Sequence, residues 1–201
     1  MQTKVILSNE EKTIIENTIF FSVKRKIFSK ITQLMGEVGN DEILTKEWRK
    51  ILINANEKTL EPKISKGENY LGLPYLLLDF PKKFEGENQF AIRNFFWWGN
   101  YFSTFLLLSG EDLKKFLPSI LSKYSLLIEK EIFVSTNTNR WIHSINNENY
   151  TPIKNLSIIE FEKIINQTGY LKIATILPLK NIDSAHTYFI DSNLFFQKIL
   201  K

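Results

Sequence analysis

The pattern of apolar and polar residues is most distinctive over residues 89–109, where two aromatic-rich apolar runs flank Gly99-Asn100. A glycine followed by a small polar residue is typical of a two-residue hairpin turn, because the central positions of that turn require positive φ. The pattern therefore predicts a β-hairpin. Its facing pairs are predicted to be Trp98 with Tyr101, Trp97 with Phe102, Phe95 with Thr104 and Arg93 with Leu106.

Both faces of the predicted hairpin are apolar. Alternate residues of a strand point to opposite faces, so the facing pairs divide the side chains into two sets. One set comprises Trp98, Phe96, Asn94, Ile92 and Phe90 beside Tyr101, Ser103, Phe105 and Leu107, and the other comprises Trp97, Phe95, Arg93 and Ala91 beside Phe102, Thr104, Leu106 and Leu108. We expect such a hairpin to lie inside a sheet that is covered on both sides, one cover being the protein itself, a ligand or a partner.

The N-terminal quarter predicts two helices. Ser8 and Glu11 have the spacing of a capping box, and apolar residues then recur at steps of three and four. This first helix is expected to end at about Gly36 or Gly39, because glycine commonly follows the last helical turn. A second helix begins at residue 40 or 41, and the short connection predicts a helical hairpin.

The next segment predicts strands. Periodicity is lost over residues 54–72, apart from a short strand at residues 63–65, and this irregular stretch ends in the glycine-rich residues 66–74. Residues 75–80 predict a strand that ends at Pro81, which leads through a turn into the central hairpin. These strands therefore predict an antiparallel meander.

The second half of the chain predicts further helices and strands. A helix is expected after Ser109, with Asp112 completing its cap and Pro118 producing a kink or two abutting helices. Residues 131–136 and 140–145 predict a second hairpin. Then come a helix capped by Ser157 and ending before Gly169, an internal strand over residues 170–177, and a closing helix from about residue 192, with residues 186–190 compatible with either helix or strand.

These elements together predict an α+β fold in a single domain of residues 1–201. A mainly antiparallel sheet of about five to seven strands is expected, with the meander of residues 75–108 at its centre. The helical hairpin of residues 1–55 is expected to pack on the sheet, while residues 62–201 supply the sheet and its covering helices.

Composition narrows the functional classes. The chain has 201 residues and no cysteine, so disulfides, thiolate metal sites and cysteine nucleophiles are excluded. The N-terminus lacks a secretory pattern, and no apolar stretch has the length of a transmembrane helix, so a cytoplasmic protein without membrane contact is expected. The sequence contains neither a P-loop nor a dinucleotide-binding glycine pattern, and no cofactor is predicted.

The charge distribution argues against nucleic-acid binding as the main function. The net charge of +4 reflects 26 basic and 22 acidic residues, and the basic residues are nearly absent from the aromatic strands. The densest basic cluster comprises Lys24, Arg25, Lys26 and Lys30. On a helix these side chains surround more than one face, so a solvated surface is favoured over a phosphate-binding track.

Catalytic and metal-binding patterns are scarce. The two histidines, His143 and His186, show no metal-ligand spacing, and no metal site is predicted. Ser184 and Asp191 lie near His186 in sequence, but no nucleophile elbow presents a serine. A hydrolase using the histidines, or Asp79 with Arg93, is kept as an alternative function.

Asp79 and Arg93 are lone charges in apolar strands, so each is expected either to be paired or to face a cavity. A symmetric closure of the turn after Pro81, with Phe80 opposite Gln89, would place them on opposite faces, whereas a one-residue shift would bring them together. An internal salt bridge is the more common outcome for such residues. The alternative hypothesis is a ligand pocket formed by Lys66, Glu68, Tyr70, Asp79, Arg93, Asn94, Trp97 and Trp98.

The functional interpretation is a non-catalytic binding module. Surplus apolar sheet surface combined with few catalytic groups favours a small apolar or aromatic ligand, or a protein partner that includes a second copy of the chain. The alternatives are the small enzyme described above and weak nucleic-acid binding through residues 24–30.

Overall fold

The computed structural model describes residues 4–53 and 56–201, and within them the chain forms seven α-helices and seven β-strands. The helices are α1 (Asn9–Glu16), α2 (Thr18–Gly39), α3 (Glu42–Ile51), α4 (Gly110–Ser122), α5 (Tyr124–Glu129), α6 (Ile158–Thr168) and α7 (Ala185–Leu200). The strands are β1 (Lys63–Tyr70), β2 (Leu73–Glu85), β3 (Asn88–Trp97), β4 (Tyr101–Ser109), β5 (Phe133–Ser135), β6 (Tyr150–Pro152) and β7 (Tyr170–Pro178). The predicted α+β class is confirmed.

All seven strands belong to one antiparallel sheet with the order β1-β2-β3-β4-β7-β5-β6. The predicted meander is present at its centre, and β1 extends it by one strand. β7 lies between β4 and β5, which confirms the prediction that this strand is internal. The long central strands are therefore hydrogen-bonded on both sides, while β1 forms one edge of the sheet.

The two faces of the sheet are covered differently. One face, which we call the helix-covered face, packs its apolar side chains against α2, α3, α4, α6 and α7 in the main hydrophobic core. This core includes Trp48, Phe90, Phe102 and Phe196, all fully buried. The opposite face is covered largely by an irregular segment, residues 136–149, which connects β5 to β6 and which we call the strap.

The central hairpin forms with a register one residue away from the prediction. Trp97, rather than Trp98, is opposite Tyr101, and a three-residue loop replaces the two-residue turn. Gly99 adopts the left-handed conformation with φ of 72°, which is typical of longer glycine-containing hairpin loops. The pairs Phe95–Ser103, Asn94–Thr104 and Arg93–Phe105 follow. Because side chains alternate along a strand, this shift exchanges the two β4 sets between the faces.

The predicted first helix is divided in two at Asn17. The backbone of Asn17 leaves the helical region, and its side-chain oxygen accepts a hydrogen bond from the Phe20 N–H at 3.1 Å, which caps α2. α1 begins with the predicted capping box of Ser8 and Glu11, but it buries none of its residues. The first buried residue of α2 is Ile31, so only the second half of α2, together with α3, packs firmly against the sheet core.

The segment before the meander is more regular than predicted. Residues 66–70 belong to β1, which turns through Leu71 and Gly72 directly into β2. β2 does not end at Pro81. A bulge places Phe80 and Pro81 opposite a single β3 residue, and the strand then continues to Glu85.

The prediction of a second hairpin is correct for its first strand, which is β5, and wrong for its second strand. β5 pairs with β6 rather than with residues 140–145, which lie in the strap. Residues 140 and 141 form a turn, and His143 and Ser144 are the buried residues of this stretch. Side chains rather than a neighbouring strand bind their backbone groups, as described below.

The helices of the second half mostly follow their predicted signals. The cap of α4 differs, because Ser109 donates a hydrogen bond to the Glu87 carbonyl, and Asn88 instead accepts from the Glu111 N–H at 2.9 Å. Pro118 lies within α4, and the break to α5 occurs at Lys123. The Ser157 capping box and the left-handed Gly169 bound α6 as predicted, and residues 186–190 are helical.

Gly110, at the junction of β4 and α4, provides a test of this packing. Its φ is 58°, and an added Cβ would lie 2.1 Å from the Asn88 side-chain oxygen. We expect Gly110→Ala to lower the free energy of unfolding by about 3 kcal/mol. The control is Gly86→Ala, which has the same φ of 58° and open space, and should cost only about 1–2 kcal/mol. Equal costs in urea denaturation would contradict the close approach.

Candidate functional site

The structure separates the eight residues of the predicted pocket into two groups. Tyr70, Asp79, Arg93 and Trp97 lie on the face covered by the strap. The other four lie on the helix side, where Asn94 is buried in the core, Trp98 packs against α2, and Lys66 and Glu68 face α2 from β1. The predicted residues therefore do not line one pocket.

Asp79 and Arg93 form an ion pair, which was one of the two arrangements that the sequence allowed. They are directly opposite each other on β2 and β3, because the bulge after Asp79 sets the register. Arg93 donates from Nε and Nη2 to the two carboxylate oxygens at 2.7 and 3.0 Å. The two side chains are only 8% and 12% exposed. This bidentate geometry is typical of a structural arginine–carboxylate pair.

His143 extends the pair into the strap. Arg93 Nη1 lies 3.0 Å from His143 Nε2, and since arginine can only donate, the imidazole nitrogen must accept. The ring is therefore neutral, with its proton on Nδ1. Burial, together with the nearby Lys172 and Arg93 charges, holds the pKa of His143 well below its usual range.

The backbone of the strap is bound by side chains of the sheet. The Tyr70 hydroxyl accepts from the His143 and Ser144 N–H groups at 2.7 and 2.9 Å. The Tyr101 hydroxyl accepts from Ile145 N–H at 2.7 Å and donates to the His143 carbonyl. Burial raises the pKa of Tyr101 to about 12, so this phenol remains protonated and able to donate.

A buried lysine completes the attachment of the strap. Lys172 of β7 is 2% exposed and donates from Nζ to the carbonyls of Arg140, at 2.9 Å, and Ile142. The Tyr150 hydroxyl also donates to Ile142, at 2.9 Å. Burial, and secondarily the Arg93 charge, lowers the pKa of Lys172 well below its usual range. These polar groups are therefore committed to holding the strap.

The residues of the enzyme alternative are not brought together. His143 is a buried residue of the strap, whereas His186 is exposed on α7, which covers the other face of the sheet. Over residues 4–53 and 56–201, no group of three or more metal-ligating side chains could hold a metal ion. Arg93 and Trp97 are packed beneath the strap and against neighbouring aromatic rings. A ligand could reach the Asp79–Arg93 pair only after displacement of the strap.

An open groove lies between α2 and β1, which we call the α2–β1 groove. Its volume is about 610 Å³. Its lining residues are Phe21, Lys24, Arg25, Phe28, Ser29, Thr32, Lys66 and Glu68. Trp98 stacks on Phe28 with ring centroids 5.8 Å apart and supports the aromatic floor. Three of the eight residues predicted from the sequence, Lys66, Glu68 and Trp98, therefore meet at this groove.

The groove carries an excess of positive charge. Lys24 forms an ion pair with Glu68 and is largely buried by it. Arg25 and Lys66 have no ion-pair partner among the residues that the structure describes. The aromatic rings lie beside these two free cations. The surface is therefore suited to a group that is both apolar and negatively charged.

Next to the groove, the N-terminal segment exposes apolar residues. We call residues 4–17 the arm. Ile14 and Ile15 are 56% and 68% exposed. The apolar surface continues onto the start of α2, where Ile19 is 74% and Phe21 51% exposed. The sequence pattern placed Ile15 in one apolar stripe with the buried Ile31, because helical periodicity is the same whether the apolar side faces a core or a partner.

A second cavity, of about 710 Å³, lies between the start of β5, the end of β7 and α7. Its polar wall includes Thr175, Tyr188 and Ser192, which hydrogen-bond with one another. None of the eight residues of the predicted pocket lines it, but Ser184 and Asp191, which lie near His186 in the sequence, do. Its charged lining residues are Glu129, Lys130, Glu131 and Asp191, and it lacks the exposed aromatic rings of the α2–β1 groove among its described lining residues.

Comparison with known proteins does not assign the chain to a family. No family model, curated protein or solved structure matches the chain. Within the described ranges, every helix is too short or too polar to cross a bilayer. Functional inference therefore depends on the geometry of the chain itself.

Removing one member of the Asp79–Arg93 pair should destabilise the protein more than removing both. We expect Arg93→Met to lower the free energy of unfolding by about 3–5 kcal/mol, because it leaves a buried carboxylate without its partner. The double variant Asp79→Leu/Arg93→Met should recover much of this loss. Urea denaturation of the single and double variants measures both effects. A double variant no more stable than Arg93→Met would contradict the assignment.

Protonation of His143 should destabilise the fold below neutral pH. Its pKa is lowered in the folded state, so the unfolded chain binds the proton first as pH falls. Full stability is expected above the ordinary histidine pKa of about 6.5, with a loss approaching about 1.4 kcal/mol per pH unit below it. Chemical denaturation between about pH 7 and 5, above the range where carboxylates ordinarily titrate, measures the slope. The slope should persist in His186→Gln and be absent in His143→Gln.

Proposed function

We propose that this chain is a non-catalytic protein-binding module that docks an acidic, apolar segment of its partner in the α2–β1 groove. The observation that carries the proposal is the groove itself, where an aromatic floor lies beside two cations that form no ion pair with any residue of 4–53 or 56–201. Among the residues singled out from the sequence, those at this groove are accessible, whereas Asp79, Arg93 and His143 are enclosed.

The shape of the groove favours a chain segment over a compact small molecule. Its volume falls within the range of small-ligand sites, but Phe21 is 51% exposed and Glu68 has a largely exposed side chain. Small-ligand sites usually enclose most of their ligand. A segment that lies along the groove and continues over the neighbouring surface fits the openness better.

The edge strand supports the same interpretation. β1 pairs with β2 on one side and forms the end of the sheet on the other. An edge strand presents backbone donors and acceptors that an added peptide can use. Recognition of a peptide between an edge strand and a helix would combine these backbone bonds with side-chain contacts from α2.

The chemistry of the lining defines the partner segment. Phe21 and Phe28 offer apolar contact, while Arg25 and Lys66 offer charge. A docking segment should therefore carry carboxylates spaced among aliphatic or aromatic residues. Nucleic acid is disfavoured because Lys24 is already neutralised by Glu68, so the groove itself offers only Arg25 and Lys66 to a phosphate backbone.

Selection from a displayed library of random linear peptides tests this proposal. Immobilised full-length chain should enrich peptides rich in Asp, Glu and large apolar residues. Their binding should fall by at least about tenfold, roughly 1.4 kcal/mol, in Arg25→Glu/Lys66→Glu, because both free cations are reversed.

The matched control is Lys163→Glu/Lys180→Glu, which makes the same kind of charge reversal at two exposed lysines outside the groove. This variant should retain binding of the enriched peptides. Enrichment of neutral or basic peptides, or equal loss in the control and groove variants, would overturn the proposal.

A further inference from the structure

We propose that the segment docked in the α2–β1 groove is α1 of a second copy of this chain, so that two copies exchange their arms reciprocally. This inference rests on the proposed function and names its partner. Because a helix bonds its own backbone groups, α1 would use the side-chain contacts of the groove and not the backbone of the β1 edge. It is carried by the chemistry of α1, by the connection between α1 and α2, and by the order of charges along the two helices.

The chemistry of α1 matches what the groove requires. α1 carries three carboxylates, from Glu10, Glu11 and Glu16, against the single cation Lys12, and the whole arm, which also contains Lys4, keeps one more carboxylate than cations. Ile14 and Ile15 are exposed and adjacent to these acids. The segment is therefore both acidic and apolar, while the groove is aromatic and basic.

The α1 of the same copy cannot fill its own groove in this structure. Only Asn17 separates α1 from α2, whereas antiparallel helix pairs need a connection of about two to five residues. The groove begins at Phe21, within the first turns of α2. Folding α1 back would also break the hydrogen bond from Phe20 N–H to Asn17 that caps α2. The acidic helix must therefore come from another molecule.

The order of charges selects the geometry of the pair. The acidic residues precede the basic cluster along the chain, with Glu10 and Glu16 on α1 and Arg25 on α2. A two-fold arrangement that runs the helices antiparallel places each α1 against the basic groove of the other copy. A parallel arrangement would place acids against acids and bases against bases. The antiparallel exchange is therefore electrostatically complementary at both ends.

The surface available is adequate for association. The arm and the groove lining together comprise about 20 residues per copy, at the lower end of the roughly 20–30 of a standard protein interface. Exchange would cover Ile14, Ile15 and Phe21, which are otherwise exposed to water. Monomeric proteins rarely leave large contiguous apolar patches uncovered.

A charge exchange between two full-length variants tests the inference. In one variant, Glu10→Lys/Glu16→Lys gives a basic arm and keeps the basic groove. In the other, Arg25→Glu/Lys66→Glu gives an acidic groove and keeps the acidic arm. Each variant alone should repel its own copy. An equimolar mixture should form a heterodimer, because each arm then meets a groove of opposite charge.

The measurement is oligomeric mass by light scattering and native mass spectrometry. Wild-type chain is expected to be dimeric, each variant to associate at least about tenfold more weakly, and the mixture to recover a heterodimer. Ile15→Asn should also weaken the wild-type dimer, whereas Ile159→Asn, at a comparably exposed isoleucine of α6, should not.

Two outcomes would overturn the inference. One is a wild-type chain that is monomeric at concentrations of about 100 μM, in the range of weak association. The other is a dimer whose stability does not respond to either charge variant. In both cases the proposed function would still stand if the library peptides bind in a groove-dependent manner. The proposed function itself would fail if the enriched peptides bound equally well to Arg25→Glu/Lys66→Glu.

Discussion

The constraint on which this structure depends is that buried backbone groups need hydrogen-bond partners. The central strands are apolar on both faces, so both faces must be covered. Helices satisfy their own backbone groups and cover one face readily. The other face is covered by the irregular strap, and its backbone depends on side chains that rise from the sheet. Tyr70, Tyr101, Tyr150 and Lys172 supply these bonds.

This requirement determines the role of the buried polar residues. Arg93 holds Asp79 and also contacts His143 of the strap, so the charges most conspicuous in the sequence are parts of one scaffold. A lysine with a lowered pKa can indicate a functional site, but here its amine is occupied by two carbonyls. Binding chemistry is instead accessible at the edge of the sheet, where Arg25 and Lys66 border a groove.

Much of the fold could be predicted from local signals, because capping and periodicity depend on nearby residues. The boxes at Ser8 and Ser157 and the glycine at residue 169 are where the sequence placed them. Register was less predictable. The conformation of Gly99 lengthened one loop, and a bulge after Asp79 decided whether that carboxylate meets Arg93. Loop length and bulges depend on the pairing of the whole sheet. Residues 140–145 of the strap resemble a strand in sequence, but side chains of the sheet bind their backbone groups.

The candidate site was only partly predictable, for a related reason. Ile15 and Phe20 belong to a helical pattern that is continuous with the buried Ile31, so periodicity assigns them the same environment. The fold distinguishes them because α1 and the first turns of α2 extend past the part of the sheet that packs against α2. Exposed isoleucines and phenylalanines beside Arg25 and Lys66 then indicate a binding surface, whereas the same residue types in the packed part of the helix form the core. A pattern shared by core and interface becomes informative about function only once the extent of the sheet is known.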